Sequence, residues 1–184
     1  MPSALRFEPV AMVVGGRSEP VDDDWEGVEA IVRLDERFEP DALAGLDEFS
    51  HVEVVYVFDR VDPADVATGA RHPRGNEAWP RVGIFAQRAK DRPNRIGVSI
   101  CRLLRIEERD VHVAGLDAVD GTPVLDLKPV MAEFAPRGEL RQPAWAGELL
   151  LGIEQPSDPD AWRNLAFGAL GLASPQTTLH KHTN

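Results

Sequence analysis

The run at residues 49–59 constrains this chain most, because Val52, Val54, Val55, Tyr56, Val57 and Phe58 follow one another with little polar interruption. β-Branched and aromatic side chains at that density favour a strand, and one central to its sheet. Shorter apolar runs recur along the chain. Residues 10–14 end at Gly15-Gly16, a turn signal; residues 28–34 alternate apolar with polar; residues 82–86 and 98–104 flank a polar loop. Residues 110–115 and 124–130 bracket Asp120-Gly121, a hairpin-type signal. Helical patterns are few before residue 140, although residues 40–46 have helix composition with Pro40 in the first turn and Asp41 near the positive end of the dipole. This spacing predicts a mainly β fold, a small antiparallel β-barrel with short peripheral helices. No G-x-G-x-x-G follows a strand and opens a helix, so a Rossmann-type nucleotide site has no support.

The polar loop between residues 86 and 98 holds Arg88, Lys90, Arg92 and Arg95 against one acid, Asp91. Like charges at that density repel one another, and the loop is expected to meet something anionic or electron-rich. Pro93 biases Arg92 towards extended backbone, and Gly97 permits either a positive φ or a close approach of ligand to backbone. The net charge of −11 argues against general nucleic-acid affinity, yet residues 71–105 carry nine Lys or Arg against Glu77 and Asp91. A dipolar protein can still turn one face to an anion. Residues 62–79 show no periodicity and hold Pro63, Gly69, Pro73 and Gly75, which predicts a long loop, made basic by Arg71, His72 and Arg74.

With 184 residues the chain fits one domain, expected at 1–136, and a helical extension with a flexible tail at 137–184. Helices are predicted at 143–151 and 158–170, the second with Ser157 as N-cap, Pro159 in its first turn and Gly171 near its end. His180 and His182 have no acidic or cysteine companions and read as tail residues rather than metal ligands. The single cysteine, Cys101, rules out an internal disulfide and is expected to be a buried apolar residue. His51, opening the strongest strand, is expected to be a structural hydrogen-bonder. No apolar run approaches twenty residues and no secretory layout opens the chain, so a cytoplasmic protein with no membrane partner is expected.

Three blocks in order resemble the signature of the TsaA-like family, which includes the TrmO-type tRNA methyltransferases. They are Gly83-Ile84-Phe85-Ala86 with Arg88, Arg92-Pro93-Asn94 and Ile96-Gly97-Val98-Ser99; then residues 116–129, LDAVDGTPVLDLKP; and, more weakly, Leu46-Asp47-Glu48-Phe49-Ser50-His51-Val52. The resemblance covers about residues 8–135 and implies a TsaA-like barrel, S-adenosylmethionine as methyl donor, and a homodimer. It implies as acceptor the exocyclic nitrogen of threonylcarbamoyl-adenosine at tRNA position 37.

On this resemblance Arg88 contacts the cofactor, and Gly115, Leu116, Asp117 and Ala118 offer backbone groups and a carboxylate to it. Arg92, Pro93, Asn94 and Val98 shape the wall. Asp120, Thr122, Asp126 and Lys128 supply polar groups near the reacting centre, with Asp120 or Asp126 as the expected proton acceptor. Asp126 and Lys128, two apart on a strand, are expected on one face, where an ion pair explains them equally well. Two departures stand out. Asp59 and Arg60 replace the family's cofactor-contacting His-Gln pair, and Asp22-Asp23-Asp24-Trp25 is acidic and aromatic where the family carries a basic loop. The residues after 136 are also too few for a full copy of the family's C-terminal tRNA-recognition domain. These features leave open a small molecule or another nucleoside as acceptor, or a non-catalytic module that binds S-adenosylmethionine.

Overall fold

Alternation of apolar and polar side chains gives the sheet one face to bury. The structure, a computed structural model, describes residues 5–20, 25 and 27–149. The acidic run at 22–24, the helix expected at 158–170, and His180 and His182 lie outside the described residues.

Six antiparallel strands form a closed barrel in the order β1-β2-β7-β6-β3-β8, where β1 is Ala11–Val14, β2 Glu29–Leu34, β3 His51–Val57, β6 Ile96–Glu107, β7 Asp110–Ala114 and β8 Pro123–Pro129. The remaining pair, β4 (Ala70–Arg71) and β5 (Val82–Gly83), makes a separate two-stranded ribbon. The period of two is visible in β3, whose Val52, Val54 and Tyr56 are buried, and in β2, whose Ala30, Val32 and Leu34 are. With Val13, Val111, Val113, Leu116 and Val124 they form one core. Cys101 is fully buried in it and is a free thiol. β3 pairs with β6 on one side and β8 on the other, so the strongest strand of the sequence is interior to the sheet.

The long strand β6 serves two partners: residues 96–102 pair with β3, and residues 102–107 pair with β7 with a register shift between Leu103 and Arg105. That bulge bends the strand around the barrel. A second shift, in β8, has a larger consequence. Val55 faces Asp126 but Tyr56 faces Val124, leaving Leu125 as the extra residue. Val124 and Leu127 therefore both contribute to the core, and Asp126 and Lys128 point outward.

Several local expectations are corrected. Residues 40–46 are no α-helix but a 3₁₀ turn, Pro40–Leu43, followed by another at Leu46–Glu48, separated by Gly45 at φ +80°. Of the run 82–86 only Val82–Gly83 is strand, and it joins the ribbon rather than the barrel; Ile84–Ala86 is a 3₁₀ turn. The 62–79 loop is punctuated by β4 and by turns at Pro63–Asp65 and Pro73–Gly75. Asp120-Gly121 joins strands that do not pair: β7 lies between β2 and β6, β8 between β1 and β3. Its Gly121, at φ +84°, turns the chain across the barrel end. The extension begins with α1, Ala144–Leu149, inside the predicted 143–151.

Gly97 has no positive φ; its place is set by packing. It lies opposite Tyr56 across the β3–β6 pair. A Cβ there would sit 2.4 and 2.5 Å from Tyr56 ring atoms and 3.0 Å from Phe58. The Tyr56 ring is fixed in turn against Phe58, edge to face with centroids 5.2 Å apart. Gly97→Ala is accordingly expected to destabilise the fold by about 3 kcal/mol, the upper part of the overpacking range. Chemical denaturation monitored by tryptophan fluorescence measures this, and a loss within about 0.5 kcal/mol of zero would refute the packing argument.

Candidate functional site

Two excursions from the barrel meet at one end. Residues 66–95 are folded on themselves by hydrogen bonds from Ile84 N to Gly69 O at 3.0 Å and from Ala67 N to Asp91 O at 2.8 Å. Buried Gln87 donates through Nε2 to Val82 O at 3.0 Å. Arg71 and Asp91 form a bidentate pair that ties the ribbon to the arginine-rich loop. The second excursion, residues 115–122, is held by Gly121 N to Val13 O and Asp120 N to Arg17 O, at 2.9 and 2.8 Å. Between the two opens a cavity of about 760 Å³, within the size range of small-molecule sites.

Arg88 and Asp117 both line this cavity, together with Asp59, Arg60, Ala118 and Thr122. The Tyr56 hydroxyl lies beneath, donating to Asp117 O at 2.5 Å and within 3.1 Å of Ser99 Oγ. Burial, with Asp117 second, pushes the Tyr56 hydroxyl's pKa far above its ordinary value, while Arg88 acts on it in the opposite sense. Both charged groups are thus close enough to Tyr56 to influence the same atom. Burial and Asp117 also push the Cys101 thiol up to about 12, which removes it as a nucleophile.

The cavity wall includes Arg60, Arg71, Arg74, Arg88 and Lys90, and also Asp59, Asp62, Asp65, Asp91 and Asp117. The basic loop is expected to face an anion; folded, its Arg88 and Lys90 belong to a wall that carries as many carboxylates as cations. A balanced wall suits a zwitterion, or a cation carrying a carboxylate, better than a bare polyanion. Among the described residues no cluster of His, Cys, Asp and Glu is placed to hold a metal.

The other expected site residues have different places. Arg92 and Val98 stand behind the wall: Arg92 Nη1 makes a long contact of 3.4 Å to Gln87 O, and Val98 O accepts from Arg88 Nη2 at 2.8 Å. Pro93 and Asn94 lie in the turn closed by Arg95 N to Arg92 O at 2.9 Å, off the cavity. Gly115, at φ +83°, turns the chain out of β7, and Leu116 is a core residue. The Asp120 carboxylate accepts Gly15 N at 2.8 Å, which makes it a turn fastener. Asp126 pairs with Lys128 on the outer face, both about half exposed. None of these three lines the cavity. Arg60 lines it but spends its guanidinium on two carbonyls, Ser18 O and Asp120 O, each at 2.7 Å. His51 has the structural part expected of it, with Nδ1 2.8 Å from Ser50 Oγ.

Wall residues not picked out as a site include Pro20, Trp25, Phe58, Gln87, Asp91, Trp145 and Leu149. Asp91 offered one signal, as the lone acid in a basic loop. Trp145 offered none, since it lies beyond the barrel.

Comparison with known proteins gives a consistent picture. Residues 20–135 match the tRNA-methyltransferase O N-terminal domain family. A tRNA (adenine(37)-N6)-methyltransferase of Mus musculus is 40% identical over 93 residues, half of this chain but 21% of that protein, so the match spans about a fifth of such a relative's length. A probable S-adenosyl-L-methionine-binding protein of Pyrococcus abyssi (strain GE5 / Orsay) is 28% identical over 179 residues, 95% of this chain and 94% of that one. The crystal structure of TrmO from Pseudomonas aeruginosa superposes with a TM-score of 0.63 at 25% identity, covering 79% of this chain and 63% of that one.

The Arg71–Asp91 pair makes a pH-dependent prediction. Its hydrogen bond from Arg71 holds the Asp91 carboxyl below its ordinary 3.8. A carboxylate depressed on folding stabilises above its unfolded pKa and loses that contribution as pH falls through the folded value. Asp91→Asn is therefore expected to lower the melting temperature at pH 7. The gap from wild type should narrow as pH falls below about 3.8, where the native carboxyl takes up its proton. A gap that stays constant from pH 7 to pH 2.5 would mean that the pair adds nothing.

Proposed function

This chain belongs to the tRNA-methyltransferase O N-terminal domain family, and from that membership we propose that it is an S-adenosylmethionine-dependent methyltransferase. Its acceptor on this reading is the exocyclic nitrogen of threonylcarbamoyl-adenosine at tRNA position 37. The homodimer is carried by the family resemblance alone. Relatives named as tRNA (adenine(37)-N6)-methyltransferases and as S-adenosyl-L-methionine-binding proteins support the activity class. The observation that carries the reading to this chain is the convergence of Arg88 and Asp117 on one cavity with balanced charge.

The residues present fit such a cofactor. A sulfonium amino acid attached to adenosine brings one carboxylate and two cations, and the wall offers a guanidinium at Arg88 and a carboxylate at Asp117 to receive them. When bound, the cofactor supplies an activated methyl group. The chain's part is alignment and exclusion of water, because an in-line transfer from an activated donor needs little acid or base help. Arg88 can orient a carboxylate while its bond to Val98 O keeps the guanidinium aimed. The Asp117 carbonyl is held by Tyr56, which fixes the segment that bears the carboxylate. With Asp120 on Gly15 N and Asp126 on Lys128, receipt of the acceptor's proton falls to the wall carboxylates Asp59 or Asp65.

A smaller acceptor is the second reading. It is favoured by one observation: Trp145 and Leu149, from the segment after the barrel, occupy part of the cavity wall.

Isothermal titration with S-adenosylmethionine tests cofactor binding. Wild type is expected to bind, and Asp117→Asn and Arg88→Ala each to weaken binding about tenfold or more, as loss of a charged hydrogen bond does. A wild-type protein that ignores the cofactor would overturn the proposal. Nucleoside analysis of tRNA from a strain lacking the protein then separates the acceptors. Loss of the methylated threonylcarbamoyl-adenosine supports tRNA; an unchanged level supports the smaller acceptor.

A further inference from the structure

The barrel does not wall its cavity alone. Trp145 and Leu149 belong to α1, and both lie beyond the family-matched residues 20–135. Pro20, Trp25 and Phe58 add apolar surface to the same cavity. A helix of six residues with no buried member has little stability of its own, so contacts elsewhere fix its place. One such contact is a hydrogen bond across 69 positions of sequence, from Trp79 Nε1 to Glu148 Oε2 at 2.7 Å. It fastens α1 to the loop that carries the ribbon. Trp25 is fixed independently: the Arg17 guanidinium lies 4.8 Å from its ring centroid. Trp25 and Trp145 are both half-buried, and both line the cavity. Two half-exposed indoles from separate segments on one cavity wall offer flat faces on which a purine ring can stack.

We propose that α1 is part of the ligand site, with Trp145 and Trp25 stacking the purine ring of the nucleoside ligand, and with the Trp79–Glu148 hydrogen bond holding Trp145 in place. This rests on the methyltransferase reading above and adds to it a specificity determinant outside the matched barrel. Trp145 contacts the ligand; Glu148 is a positioning residue that acts through α1.

Calorimetric titration of the full chain with S-adenosylhomocysteine and, separately, with adenosine tests this. Trp145→Ala is expected to weaken both ligands about tenfold, the effect of removing an aromatic platform under a base. Trp145→Phe, which keeps a ring, is expected to restore most of that affinity. Glu148→Ala is expected to weaken both about threefold, as for a lost hydrogen bond. Melting temperatures establish that the variants are folded. Wild type that binds with Trp145→Ala unchanged would overturn this inference and leave the methyltransferase reading standing. So would a loss confined to S-adenosylhomocysteine, since adenosine carries the ring. A wild type that binds neither ligand would overturn both.

Discussion

The Tyr56 side chain joins the packing of the barrel to the shape of its cavity. Its ring lies where a Cβ on Gly97 would have to be, so the β3–β6 pair can close only because the residue opposite has no side chain. Its hydroxyl donates to the carbonyl of Asp117 at the cavity rim. Burial keeps that hydroxyl protonated well above neutral pH, which leaves it a permanent donor. One residue thus fixes a strand pair and the segment that brings a carboxylate to the cavity. The line of dependence runs from Gly97 through Tyr56 to Asp117.

Arginine does the corresponding work on the loops, and it does so mainly through backbone carbonyls. Arg60 bridges Ser18 O and Asp120 O; Arg88 holds Val98 O; Arg95 holds Val61 O at 2.9 Å. A carbonyl accepts the hydrogen bond without cancelling the charge, so each guanidinium both fastens a loop and keeps its field. Arg71 differs, because its bidentate partner Asp91 cancels most of its charge. The charge balance of the cavity follows from this division of labour. Arg60 and Arg88, held on carbonyls, share the cavity wall with Asp59, Asp62, Asp65 and Asp117.

The strands were legible because burial has a period of two, and β2, β3 and β7 carry it openly. Closure of the sheet was legible only as a class, since nothing local says that β1 pairs with both β2 and β8. The meeting of Arg88 and Asp117 at one cavity was legible because each stands inside a motif of its own. The site was not legible where a single backbone event decides orientation. Counting by twos along β8 puts Asp126 and Lys128 on one face, which is correct, but the bulge at Leu125 decides that this face is the outside. Asp120 shows the same limit, because its carboxylate is taken by Gly15 N, 105 positions away. Trp145 and Arg71–Asp91 depend on tertiary neighbours, which periodicity does not encode.

A closed barrel also restricts where a protein of this kind can vary. Slipping any strand by one residue would turn its core side chains outward, so the barrel and the rim pinned to it tolerate little change. The loops and the chain beyond the barrel are not bound by that register. Trp25 lies between β1 and β2, and Trp145 lies after β8, yet both reach the cavity that holds Arg88 and Asp117. The charged side chains of the wall likewise stand outside the six barrel strands, on the excursions at 59–91 and at Asp117. Selectivity among ligands that share one charged end can therefore change without disturbing the core, by replacing side chains on residues that no strand register holds.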